Sequence, residues 1–187
     1  MTTCSGLWAV AKILHPINET MIRTYLTSFQ IGIVAGMRAM TAPALVSHKL
    51  AHMGGQLPPK SKLQLLQSPT AATVLKVMAA GELIGDKLPN TPDRTTPAGL
   101  TGRIMSGAVS GAALSEIDGQ QTGYGAVAGG LGALVGSFAF FHLRHWLTHE
   151  QNLPDPLVAL AEDAIAIGAG WRLINQQELV DLYGYDS

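Results

Sequence analysis

The residues in this chain that could do chemistry are acids and arginines set inside apolar stretches. Glu82 and Asp86 stand four apart, so on a helix they share one face, with Gly81 and Gly85 beside them leaving room for a close neighbour. Glu162 and Asp163 are adjacent and point about 100° apart, so only one of them can face a given cavity. Arg38 is the lone charge in the middle of its segment and is the natural partner for these acids. Each such group costs several kcal/mol in hydrocarbon unless it is paired or wetted, so each is a functional hypothesis. A cluster of Glu82, Asp86 and Glu162 around Arg38 could relay protons, hold a cation or bind a polar substrate. The competing reading is a structural ion-pair network that locks a bundle. Four acids against one central arginine leave surplus negative charge, which favours function.

A second group follows directly, in the loop from Gly85 to Pro97. Pro89, Pro92 and Pro97 stiffen it, while Asp86, Lys87, Asp93 and Arg94 alternate in sign. Such a loop can present Lys87 and Arg94 to an anionic headgroup, or serve only as an interfacial turn whose cations snorkel to lipid phosphates. Two histidine sets have helical spacing: His48 with His52, and His142, His145 and His149. One-face imidazoles suit a metal, but only Glu150 lies near as a further ligand, so interfacial histidine is the better reading. Ser106 and Ser110 have no base in sequence and read as packing residues. No nucleophile elbow, phosphate-binding glycine loop or His-Glu-x-x-His pair occurs.

The elements that must hold these residues are helices. Five apolar segments can be drawn: Tyr25 to Ser47, Thr70 to Leu88, Pro97 to Ser115, Gly119 to Phe141, and Pro156 to Ile174. The fourth has 23 residues without a charge and alone meets the spanning criterion outright. Alanine outweighs β-branched residues and no alternation of period two persists, which argues against strands. Glycines recur four apart at Gly32/Gly36, Gly81/Gly85, Gly107/Gly111, Gly125/Gly129 and Gly132/Gly136, the pattern of helices that pack through small residues in lipid. A weak repeat at an offset of 80 sets Val77–Glu82 against Leu157–Glu162. With five spans, segments one and two would be inverted relative to segments four and five, a plan shared by many transporters.

Composition agrees. Of 187 residues 47% are hydrophobic, only 13% are charged and 21 are glycine, although the mean hydropathy of +0.23 is modest for a membrane chain. A net charge of −1 with no basic block argues against nucleic acid, and a single cysteine excludes a disulfide framework or a multi-cysteine metal site. Lys12 interrupts the apolar run from Leu7 to Leu14 and no cleavage site follows, so a signal peptide is not expected. Trp8, Trp146 and Trp171 sit near segment ends, as interfacial anchors do. Lys12, Arg23, Lys87, Arg94, Arg103 and Arg144 against Lys49, Lys60, Lys62 and Arg172 tilt the N-terminus to the cytoplasm.

Several stretches also resemble a known family. Gly36-Met37-Arg38-Ala39-Met40-Thr41-Ala42-Pro43 and Gly81-Glu82-Leu83-Ile84-Gly85-Asp86-Lys87-Leu88-Pro89, with Pro92 and Arg94, are similar to blocks of the bacterial membrane family called domain of unknown function 4126. Gly102-Arg103-Ile104, His142-Leu143-Arg144 and Leu153-Pro154-Asp155-Pro156 through Ala161-Glu162-Asp163-Ala164 resemble further blocks. The resemblance implies no established activity. It does imply that Arg38, Glu82, Asp86, Lys87, Arg94, Arg103, Glu162 and Asp163 belong to recurring motifs.

The expectation is therefore an all-α polytopic bundle of about five Gly/Ala-rich helices over 21–175, in the bacterial inner membrane. Residues 1–20 form an N-terminal, interfacial segment and 176–187 a polar acidic tail. The expected function is transport or permeation of a small polar solute or ion, with Glu82 and Glu162 binding it or taking up protons, Arg38 neutralising or binding an anionic group, and the loop from Asp86 to Arg94 gating. The rivals are an enzyme or flippase for a lipid (polyprenyl) phosphate, with Lys87, Arg94 and Arg103 as phosphate ligands, and a purely structural assembly protein. Expected partners are membrane lipid, the solute and further copies of the chain. No cofactor is expected, and for His142, His145 and His149 a metal is the weaker reading.

Overall fold

The computed structural model describes residues 4–53, 56–85, 97–151 and 154–183, with side-chain surroundings described from 19 to 175 within those ranges. The regular structure of the described residues is helical, with no strand. They form α1 (Cys4–Met37), α2 (Thr41–His52), a 3-10 turn (Gln64–Gln67), α3 (Pro69–Gly85), α4 (Pro97–Ile117), α5 (Thr122–His149) and α6 (Asp155–Tyr183). Local chemistry sets several of these ends. Pro69 and Pro97 open α3 and α4, where a missing N–H costs nothing. Asp155 stands in the first turn of α6, where the helix dipole favours an acid. Between α4 and α5, Gly119 takes φ 66°, the left-handed conformation that glycine adopts without strain. The Gly119 N–H then donates to Glu116 at 3.2 Å and the Gln120 N–H to Ser115 at 2.8 Å, a Schellman closure.

Helices α1, α4 and α5 pack backbone to backbone. A methyl added to Gly107 would stand 2.6 Å from the Gly129 carbonyl oxygen, and one on Gly136 2.6 Å from that of Ile33. Gly129 is wedged between α1 and α4, facing Gly32 on one side and Gly107 and Gly111 on the other. Four of the five glycine pairs picked out by spacing lie at these crossings; Gly81 and Gly85 have open space beside them. Ser28 meets Gly111 and Arg103 meets Gly36, so α1 and α4 run antiparallel. Beside the shared backbone runs a hydroxyl seam: Ser28 Oγ donates to Thr24 O at 2.9 Å and lies 3.1 Å from Ser115 Oγ, and Thr24 donates to Asp118 at 2.7 Å.

The first apolar segment departs from expectation. Tyr25 to Ser47 is not one span: α1 stops at Met37 and α2 folds back, so that Val34 and Leu45 flank the same residue, Gly170. Pro43 supplies the reason. In a continuous helix its ring would strike the carbonyl of Ala39 and remove a hydrogen bond, whereas in the first turn of a new helix it is tolerated. The expected boundary at residue 20 falls inside the unbroken α1, and α6 carries on past 175 to Tyr183. The two hexapeptides of the weak repeat lie on α3 and α6, both packed on α2.

Beside an apolar core that includes Ile31, Val34, Met37, Val46, Leu50 and Leu114, polar groups are buried and large apolar ones exposed. Buried positions include Arg38, Lys49, Arg103, Glu162, Asp163 and several serines, while Val127, Leu131, Val135 and Phe138 of α5 and Leu157, Leu160 and Ile165 of α6 are exposed. Among the described residues, α5 is the one helix long and apolar enough to cross a membrane, and only 28% of its apolar window is buried inside the protein.

Candidate functional site: a polar clamp on the α1–α2 turn

Breaking a helix exposes carbonyls at the end of one half and N–H groups at the start of the next. Here both sets are taken up by side chains from other helices. Arg103 of α4 donates from Nη1 to the Gly36 carbonyl at 2.8 Å and more weakly to that of Met37 at 3.5 Å. Ser137 of α5 donates to Gly36 at 3.3 Å and Ser106 of α4 to the Ala39 carbonyl. On the other side, the two oxygens of Glu82, from α3, each accept one N–H, from Ala39 and Met40, both at 2.8 Å. The side chain of Arg38 itself donates from Nε to Asp163 Oδ1 of α6 at 2.7 Å, and its Nη2 closes on the same oxygen. Four helices thus grip three residues of irregular backbone.

Arg38 and Asp163 are 1% and 5% exposed, so their charges meet in a dry interior, while Glu82 is half-buried at its edge. Charge-assisted bonds of this kind are short and directional, and they fix the turn more firmly than neutral ones. The arrangement can hold the turn closed. It can also let go, because Glu82 binds main-chain donors that any other acceptor can use.

Of the residues singled out by spacing, Arg38, Glu82, Arg103 and Asp163 converge on this turn. Glu162 points elsewhere on α6, as the 100° step between neighbours requires. Its Oε2 lies 3.8 Å from Arg144 Nη1, and Arg144 makes a two-pronged contact with Asp155 at 2.9 and 2.7 Å. Arg103 has carbonyl partners in addition to any role toward phosphate. Asp86, Lys87 and Arg94, with the Pro-rich loop, lie outside the described residues. His145 and His149 stack at 4.1 Å and His142 lies edge-on to Phe141; among the described residues no group of three or more His, Cys, Asp or Glu could hold a metal.

Sequence reasoning missed two contributors and one buried cation outside the clamp. Ser106 and Ser137 look like small packing residues, and only the glycine pairs beside them, Gly107 and Gly136, hint at backbone within reach. Lys49 is buried, donating to the Ile174 carbonyl at 3.2 Å, although its place near a segment end suggests exposure. Beyond that segment's end, His48 stacks on Trp171 at 5.7 Å and lies 2.9 Å from Lys76 Nζ. Burial first, then the positive charges of Lys76 and His52, lower its pKa below the usual 6.5.

A family model described as Domain of unknown function (DUF4126) matches residues 25–176, a stretch that contains every clamp residue. No curated protein and no solved structure matches the chain.

Proposed function

The chain belongs to the DUF4126 family, and from that premise we propose that it is a multi-pass inner-membrane protein that passes a small polar solute or ion across the bilayer. The observation that carries this reading is the clamp itself: charged and hydroxyl side chains from α3, α4, α5 and α6 meet on a broken helix inside a bundle whose exterior is apolar. Irregular backbone at membrane depth is tolerated only where protein or a water-filled cavity surrounds it, and broken helices at such depth are where transporters bind their cargo. By length alone α1, α4, α5 and α6, with 34, 21, 28 and 29 residues, can each cross a bilayer of about 20 residues' span, and among the described residues α5 is also apolar enough. In this reading α2 is a re-entrant arm, and the N-terminus is cytoplasmic.

Glu82 is the moving part. While its carboxylate holds the Ala39 and Met40 N–H groups, the turn is closed and the start of α2 is satisfied. Displacement of Glu82 by the acceptor atoms of a solute frees two donors at a helix start, where partial positive charge favours acceptors. Arg38 keeps its charge against Asp163, so the pathway need not hold a bare cation at the same moment.

Water access to the turn tests this. With Cys4→Ser removing the native thiol, Ala39→Cys in proteoliposomes should react with a small charged thiosulfonate far faster than Ala113→Cys, which is fully buried. Equal, slow rates at both positions would make the clamp a structural lock.

A further inference from the structure

Unlike the glycine-packed core, α6 does not sit flush against its neighbours. Two hollows of about 190 and 300 Å³ run along it and share Phe140 and Ile165 as walls. On α6 the lining residues are Leu157, Val158, Ala161, Glu162, Ile165, Ala169, Arg172 and Leu173, one stripe at helical spacing. At 1.5 Å per residue the stripe is about 24 Å long, more than the roughly 15 Å depth of one bilayer leaflet. Its other walls come from α1 and α5 and are apolar apart from Gln30 and Arg144.

The two ends differ in charge. At one end Arg144 is held by Asp155 and neighbours Glu162. At the other end Arg172 lies exposed and pairs with no described residue. Gln30 of α1 lines the same hollow, and since Val34 faces Gly170 while Arg38 meets Asp163, α1 and α6 run antiparallel and Gln30 falls level with Arg172. Exposed Trp171 adjoins it, a residue suited to headgroup depth. A cation and an amide donor at the mouth of a long apolar trough complement an acyl chain that ends in an anionic head.

We propose that the α6 trough is a seat for an anionic phospholipid, with one acyl chain along Ala161, Ile165 and Ala169 and the phosphate on Arg172 and Gln30. The proposal rests on the membrane reading above but not on transport. Neither Glu82 nor Arg103 lines the trough, although Met37, whose carbonyl accepts from Arg103, does, so lipid there would brace α6 and, through Asp163 and Met37, the clamp.

The test uses the full chain in detergent, with native mass spectrometry after addition of phosphatidylglycerol or phosphatidylcholine. Wild type should retain one phosphatidylglycerol about fivefold more tightly than phosphatidylcholine, the ratio expected for one cation at a headgroup. Arg172→Gln should abolish that preference while keeping chain binding, and Ala169→Phe should weaken both lipids; Ala161→Phe at the far end does the same if the first variant fails to fold. No preference in wild type, an unchanged preference in Arg172→Gln, or glycerol 3-phosphate competing as well as the whole lipid would overturn the seat. Carbonate extraction separates the two readings. A chain released to the aqueous phase that still holds the lipid contradicts the membrane assignment alone, whereas a chain that stays in the membrane but retains no phosphatidylglycerol contradicts the seat alone.

Discussion

Arg38 and Asp163 neutralise one another where water does not reach, and neither can lose the other cheaply. Asp163→Asn removes an acidic partner of a buried guanidinium and should cost about 3–5 kcal/mol, read as a lowered melting temperature in detergent. Arg38→Met with Asp163→Leu removes both charges and should cost clearly less than the single change. A double variant as unstable as the single one would mean that the pair itself is not what holds α6. His48 gives a second residue-level expectation. Its pKa is lowered on folding, so the unfolded chain binds the extra proton and stability rises with pH in that interval. The full contribution is present above about pH 6.5 and is lost as pH falls through the lower folded value. Melting temperature followed from pH 8 to pH 5 should decline, and His48→Gln should flatten the decline; an identical slope in the variant would remove His48 as its cause.

At the scale of elements, the account predicts opposite fates for two glycines that look alike in sequence. Gly129→Ala drives a methyl into the backbone of Gly107 and should prevent α1, α4 and α5 from closing, seen as loss of monodisperse protein. Gly81→Ala meets nothing within 4 Å and should stabilise α3 by about 0.5–1 kcal/mol through helix propensity. If instead it splits a homo-oligomer on size-exclusion chromatography with light scattering, a second copy packs on α3. The helices themselves were legible because long apolar runs, opening prolines and four-residue glycine spacing act locally. The fold-back of α2 was legible too, in Pro43, but a 23-residue apolar run reads as one span when the proline is discounted. What could not be read was which acid meets Arg38. Glu162 and Asp163 are equivalent in sequence, and the choice depends on how α6 is rotated against α1. Ser106 and Ser137 were hidden for the same reason, since their partners are carbonyls exposed only by a break elsewhere in the chain.

For the whole molecule, one contrast unites these features: charged and hydroxyl groups are buried beside a small apolar core, while leucine, valine and phenylalanine side chains are exposed. An exposed apolar surface of this extent favours association in water, and the helices beneath it meet through close glycine contacts. The proposed function requires that the interior conduct rather than merely lock, and flux through it distinguishes the two. Proteoliposomes exposed to inward gradients of potassium acetate, potassium chloride, glycerol or urea would be followed by stopped-flow light scattering. The account predicts that wild type admits at least one of these probes about tenfold faster than protein-free liposomes, and that Glu82→Gln, still folded, changes that rate. A tenfold change corresponds to about 1.4 kcal/mol in the barrier, within reach of losing one charge-assisted contact. Wild-type rates equal to those of empty liposomes for all four probes, with Glu82→Gln altering only the melting temperature, would contradict it.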